Sequence, residues 1–176
     1  MNTGKPPVVR TQRLFFALWP DDAIRGQLAA HANQWLWPPG CARYAAADWH
    51  ATLHFIGDVA TEKAAAIAAC AAPPFQPFEL VLDQPRLWPH GLAVLCAAEM
   101  PMALRALHER LGQKLRGLDL VLDPRPYVPH VTLARHAAAA IAPAVLASVR
   151  WPVRGFALVL STGLETPRYR VIRQYR

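Results

Sequence analysis

Long apolar runs are missing from this chain of 176 residues, and cysteine and lysine are scarce. No stretch of about 18 apolar residues occurs, so no membrane-spanning helix is expected. Met1 to Arg10 contain no apolar core segment and do not read as a signal peptide. They are expected to form a flexible extension. The three cysteines, Cys41, Cys70 and Cys96, are odd in number and lack metal-ligand spacing. A disulfide framework and a zinc site are therefore not expected, and the thiols read as reduced residues of a cytoplasmic protein. No cluster of carboxylates suits Mg²⁺, and neither metal nor cofactor is expected.

Lysine supplies only 3 of the 19 basic residues and arginine 16, within a net charge of +7. Guanidinium forks suit phosphate, so the charge fits a polyanionic partner. A GC-rich genome would also produce this Arg-, Ala- and Pro-rich composition, so charge alone does not establish RNA binding. With 53% hydrophobic and 18% charged residues, the chain is globular rather than disordered. Its length suits one domain with a real core.

Helical and strand patterns alternate. Strands are expected over 13–19, 43–46, 49–56, 78–82, 92–97, 127–134, 153–161 and 169–175. The strands at 78–82 and 92–97 read as one hairpin turned near Pro89-His90-Gly91. Helices are expected over 22–37, behind Asp21-Asp22, over 61–72 and over 102–118, with a weaker one over 137–147. Leu104, Leu107, Leu111, Leu115 and Leu118 form a core stripe on the third. Gly57-Asp58 reads as a turn.

The sequence His-x-Thr-Leu occurs twice, as His50-Ala51-Thr52-Leu53 and His130-Val131-Thr132-Leu133. A chain with 7 His, 7 Thr and 22 Leu would show it by chance well under once. Both copies fall in β-like runs, where residues two apart share a face. His50 and Thr52 therefore face one way, as do His130 and Thr132, while the leucines face a core. A histidine titrates near neutrality, so one ring can accept a proton while its counterpart donates one. Threonine hydroxyls suit the non-bridging oxygens of a phosphate. The pair thus forms a candidate acid–base site on a phosphodiester.

Other residues are weaker candidates. Alternation places His54 beside His50 and Thr52, within reach of the cleft. A metal pair of His50 and His54 would need a helix, and this run is β-like. Arg135 suits a phosphate, although strict alternation turns it away from His130. Tyr127 is either a base-stacking ring or a core aromatic. His31, His90, His108 and His136 read as structural or exposed. The basic stretch 168–176 is either an RNA guide or the solvated face of an edge strand.

These stretches resemble the two-histidine (2H) phosphoesterase superfamily, in its LigT-like branch of RNA 2′,3′-cyclic phosphodiesterases. The resemblance rests on Arg13-Leu14-Phe15-Phe16-Ala17-Leu18, on Trp49 through Asp58 (WHATLHFIGD), and on Tyr127 through Arg135 (YVPHVTLAR). It implies an α+β fold with two pseudo-symmetric lobes of antiparallel sheet plus helices around a central cleft, spanning the whole chain as one domain. It implies hydrolysis of RNA 2′,3′-cyclic phosphate ends to 2′-phosphomonoesters, with His50 as proton donor and His130 as acceptor; Thr52 and Thr132 are expected on the phosphate by their hydroxyl chemistry, and a monomer is expected. The family also carries a 2′–5′ RNA ligase label, and a small cyclic nucleotide or a purely RNA-end-binding role remains open. Ala51 is smaller than the apolar residue usual at that position, which leaves the chemistry intact.

Overall fold

The structure, a computed structural model, describes residues 11–69, 74–144 and 147–176. The expected extension at 1–10 lies outside the described residues. The strands are β1 (Thr11–Leu18), β2 (Ala42–Arg43), β3 (Ala51–Ala60), β4 (Phe78–Leu82), β5 (Gln84–Trp88), β6 (Leu92–Cys96), β7 (His130–Arg135), β8 (Val149–Val153), β9 (Phe156–Ser161) and β10 (Tyr169–Tyr175). The α-helices are α1 (Asp22–Ala32), α2 (Thr61–Ala69) and α3 (Met102–Arg116). One four-stranded sheet runs β10-β9-β1-β3 and a second β2-β7-β6-β5, each antiparallel throughout, and β4 pairs with β8 apart from both. Each four-stranded sheet carries one motif strand, β3 or β7.

Burial explains the placement of β1. Leu14, Phe16 and Leu18 enter the main core, while Phe15 and Ala17 join a second small cluster with Ala157 and Val159 on the opposite face. A strand apolar on both faces belongs in a sheet interior, and β1 lies between β9 and β3. The leucines at 104, 107, 111 and 115 of α3 are buried at helical spacing. One cluster of buried side chains continues from the first sheet through α3 to the second.

α1 starts where expected, because the Asp21 carboxylate accepts the Ile24 N–H at 3.0 Å. It stops at Ala32 rather than 37. There the Trp37 indole donates to the Ala32 carbonyl at 2.9 Å, satisfying a helix-end acceptor from beyond the helix. Leu36 then pairs with Ile141 in an isolated bridge. That bridge also accounts for the missing helix over 137–147, whose described part is turn and extended chain with Ala137 and Ala140 buried. The hairpin expected from 78–82 and 92–97 is re-paired. β6 turns back from β5 at 89–91, and β4 finds β8 instead. Pro85 and Pro152 weaken the strand reading of β5 and β8. Both strands lie at sheet margins, where a missing N–H is tolerated. The helix expected over 61–72 is described as far as Ala69.

At the turn between β8 and β9, a Cβ on Gly155 would stand 2.3 Å from the Tyr175 carbonyl oxygen. Gly155→Ala must push the ends of β9 and β10 apart and is expected to destabilise the fold by about 1–3 kcal/mol. Equilibrium denaturation reads this directly, and an unchanged midpoint would contradict the close packing.

Candidate active site

β3 and β7 come from different sheets and lie against each other. His50 directly precedes β3, and His130 is the first residue of β7. Between them lies a cavity of about 410 Å³ whose walls include His50, Thr52, His130 and Thr132. A larger cavity of about 570 Å³ beside Trp19 and Trp151 contains no histidine, so the chemistry rather than the volume selects the site.

The two imidazoles are held alike. His50 Nδ1 lies 2.7 Å from the Asp48 carbonyl oxygen, and His130 Nδ1 lies 2.8 Å from that of Val128. A carbonyl only accepts, so Nδ1 carries the proton and donates it in both rings. Nε2 is then left for chemistry, as a lone pair in the neutral ring and as a donor in the charged one. Each anchor is a main-chain group two residues upstream.

Aromatic rings fix the imidazoles further. Trp19 stacks on His50 at 5.7 Å and 14°, Phe15 packs at 4.8 Å, and Tyr169 meets it edge-on at 5.0 Å. Trp88 lies 4.4 Å from the His130 ring. Burial among these groups pushes His50 down to about 4, against the opposing effect of its bond to Asp48, and the nearby His130 and Arg25 lower it further. Burial also lowers His130, with its Val128 bond opposing. Both rings are therefore held towards the neutral form at pH 7.

A β-bulge in each motif strand revises two expectations from strict alternation. Opposite β1, Ala17 pairs with Thr52 and Phe16 with His54, so Leu53 is an extra residue in β3. Opposite β6, Val94 pairs with Thr132 and Ala93 with Ala134, so Leu133 is extra in β7. The inserted leucine reverses the parity of the residues that directly follow it, up to a second irregularity at Ile56 in β3. His54 therefore turns away from the cleft and is buried against α3, where it stacks on His108 at 4.0 Å. Its Nε2 lies 2.8 Å from the His108 carbonyl oxygen, and Gly112 leaves room for the ring, since a Cβ there would come within 3.2 Å of it. The same parity change carries Arg135 into the cleft wall, together with Phe55. Tyr127 lies outside the cleft and stacks on the other face of His108 at 4.1 Å and 8°.

Several wall residues had no sequence signal as candidates. The Tyr44 ring has the guanidinium groups of Arg135 and Arg168 within 5.7 and 5.1 Å of its centre. Arg168 Nε lies 3.5 Å from the Asp48 carboxylate, which ties β10 to the segment that anchors His50. Arg13 lies over Phe55 at 5.0 Å. Most of the basic stretch 168–176 lies on β10, an edge strand, and Arg168, directly before it, is the residue tied into the site.

Two matched imidazoles in one cleft, each with a threonine two residues on and with cations at the rim, form the candidate site of a two-histidine phosphoesterase. The chain belongs to the 2′-5′ RNA ligase superfamily, whose family model matches residues 20–163. It is 36% identical over 133 residues to the RNA 2′,3′-cyclic phosphodiesterase of Escherichia coli K12, covering 74% of this chain and 75% of that protein. The crystal structure of E. coli LigT with 3′-AMP superposes with a TM-score of 0.78 at 29% identity, over 94% of this chain and 98% of that one. The TT0787 protein of Thermus thermophilus gives 0.75 at 27% identity, over 93% and 96%. The fold is the LigT-like α+β architecture that the motif stretches imply.

Proposed function

We propose that this chain hydrolyses RNA 2′,3′-cyclic phosphodiester ends to 2′-phosphomonoesters, with His50 as general acid and His130 as general base. The observation that carries the reading is the matched Nδ1 anchoring of the two rings, which presents one Nε2 from each motif strand. The neutral His130 accepts a proton from the attacking water. His50 delivers a proton to the departing 3′ oxygen. His50 takes that proton up from solvent as the anionic substrate binds. An anionic phosphate favours the charged form of a nearby imidazole, opposing the burial that favours neutral His50. Thr52 and Thr132 donate to the non-bridging oxygens as charge gathers there, and Arg135 adds a cation at the rim.

Both histidines come from one chain, so a monomer suffices. Cys41 and Cys96 are free thiols, which fits a reducing cytoplasm. The partner is RNA carrying a cyclic phosphate end, and the excess of basic residues favours it.

The test is incubation with EDTA and an oligoribonucleotide ending in a 2′,3′-cyclic phosphate. Ring opening to the 2′-phosphate is expected to proceed undiminished, because two titrating rings suffice for the proton transfers. No ring opening, or activity lost to EDTA and restored by a divalent ion, would overturn the proposal.

A further inference from the structure

We propose that Asp48 is the positioning residue of the acid, its carboxylate clamped by Arg25 and Arg168 so that its carbonyl holds the His50 ring in line. This rests on the reading above, in which His50 delivers the proton to the leaving oxygen. The Asp48 carbonyl accepts from His50 Nδ1 at 2.7 Å. The direction in which Nε2 points therefore follows the direction of that carbonyl, and whatever fixes residue 48 fixes the acid.

The base is fixed by other means. Its anchor is the carbonyl of Val128, which stands directly before Pro129 and two residues after Pro126. A residue before a proline is confined to extended backbone, and the proline ring locks its own φ. The Pro129 carbonyl in turn accepts the Ala97 N–H at 3.0 Å. Asp48-Trp49-His50 contains no proline. Asp48 ends a single 3₁₀ turn, Ala46–Asp48, in which no residue is buried. Trp49 is buried, but the alanines at 45, 46 and 47 are exposed and give the turn no apolar packing.

Charged side chains supply what packing does not. Arg168 Nε lies 3.5 Å from the Asp48 carboxylate, and the Asp48 side chain is only 13% exposed. Arg25, on α1, donates through Nη1 to the Ala46 carbonyl at the start of the same turn. Its guanidinium stands 5.5 Å from the centre of Trp19, the ring that stacks on His50. Burial pushes the Asp48 carboxyl up, and Arg168 and Arg25 oppose this, so both cations bear on it. The turn is thus held from α1 and from the start of β10 together. The clamp also answers a problem of charge. Asp48 lines the cleft, where a bare carboxylate would repel a phosphate, and two guanidiniums neutralise it.

The experiment compares two substrates in the full chain, a mononucleoside 2′,3′-cyclic phosphate and a phosphodiester with an activated phenolate leaving group. The first needs the acid and the second does not. The quantity measured is the ratio of kcat on the first to kcat on the second, each variant taken at its own pH maximum. Asp48→Asn keeps the backbone carbonyl and the side-chain shape but removes the charge, and is expected to lower the ratio by about tenfold through a misaimed His50. Arg25→Met keeps an apolar stem without the donor, and is expected to lower it by at least about threefold. Thermal midpoints are read alongside, and if Asp48→Asn does not fold, Arg25→Met decides. A merely structural role would slow both substrates alike and leave the ratio unmoved. A ratio that stays at the wild-type value in either folded variant overturns this proposal, while the acid role stands as long as His50→Ala lowers the ratio. A ratio that His50→Ala itself leaves unchanged overturns the acid assignment, and this proposal with it.

Discussion

His130→Ala and His50→Ala are each expected to slow opening of a 2′,3′-cyclic phosphate by at least about a hundredfold. The two rings act in one displacement, so the double variant is expected to lose little more than either single one. The roles separate with a phosphodiester whose leaving group is an activated phenolate. Such a group departs without a proton, so His50→Ala recovers most of its activity there, while His130→Ala still lacks a base and does not. Recovery by the wrong variant would exchange the two assignments. Thermal midpoints measured alongside guard against misfolding, which matters more at His50, because its ring packs against Phe15, Trp19 and Tyr169. A variant retaining more than about a tenth of wild-type activity would remove that ring from the chemistry.

The second large effect is on pH. Burial lowers both histidines in the free protein, His50 to about 4. The profile of kcat/KM reports the free enzyme, which must hold one ring charged and one neutral. Above the higher of the two values the acid loses its proton, and below the lower one the base gains one. Both values lie below the ordinary 6.5, so the maximum of kcat/KM is expected below pH 6.5. From there to pH 8 a fall of at least about tenfold is expected. The profile of kcat is expected to peak at higher pH, because the bound phosphate raises both rings. A monotonic profile, or a kcat/KM maximum above about pH 7, would contradict acid–base catalysis by these buried imidazoles.

Much of this site is legible in the sequence, because its identical parts are local. His-x-Thr-Leu needs only the two-residue period of a strand to put each histidine and threonine on one face. The capping of α1 by Asp21 and the leucine stripe of α3 are local in the same sense. What the sequence leaves hidden depends on a partner strand. A bulge is a mismatch between two strands, so nothing within 50–56 or 130–135 announces that Leu53 and Leu133 are extra. Strict alternation therefore places His54 in the cleft and turns Arg135 away from it. The pairing of β4 with β8, far apart in the chain, was hidden for the same reason, and Pro85 and Pro152 masked two margin strands. The Asp48 and Val128 carbonyls are backbone groups, which residue type cannot flag.

The two bulges also make an asymmetric site from a repeated one. Up to the extra leucine, the motif strands are copies, supplying an imidazole and a hydroxyl each, so the proton-transfer groups carry an approximate two-fold symmetry. The first cleft-facing position after the leucine is Phe55 in one strand and Arg135 in the other. Symmetry breaks there, a ring answering a cation across the same cleft. A cyclic phosphate end is itself lopsided, with charge on one side and a sugar and base on the other. In the proposed reaction one orientation in the cleft is thereby favoured over its reverse, which gives two similarly anchored histidines opposite tasks.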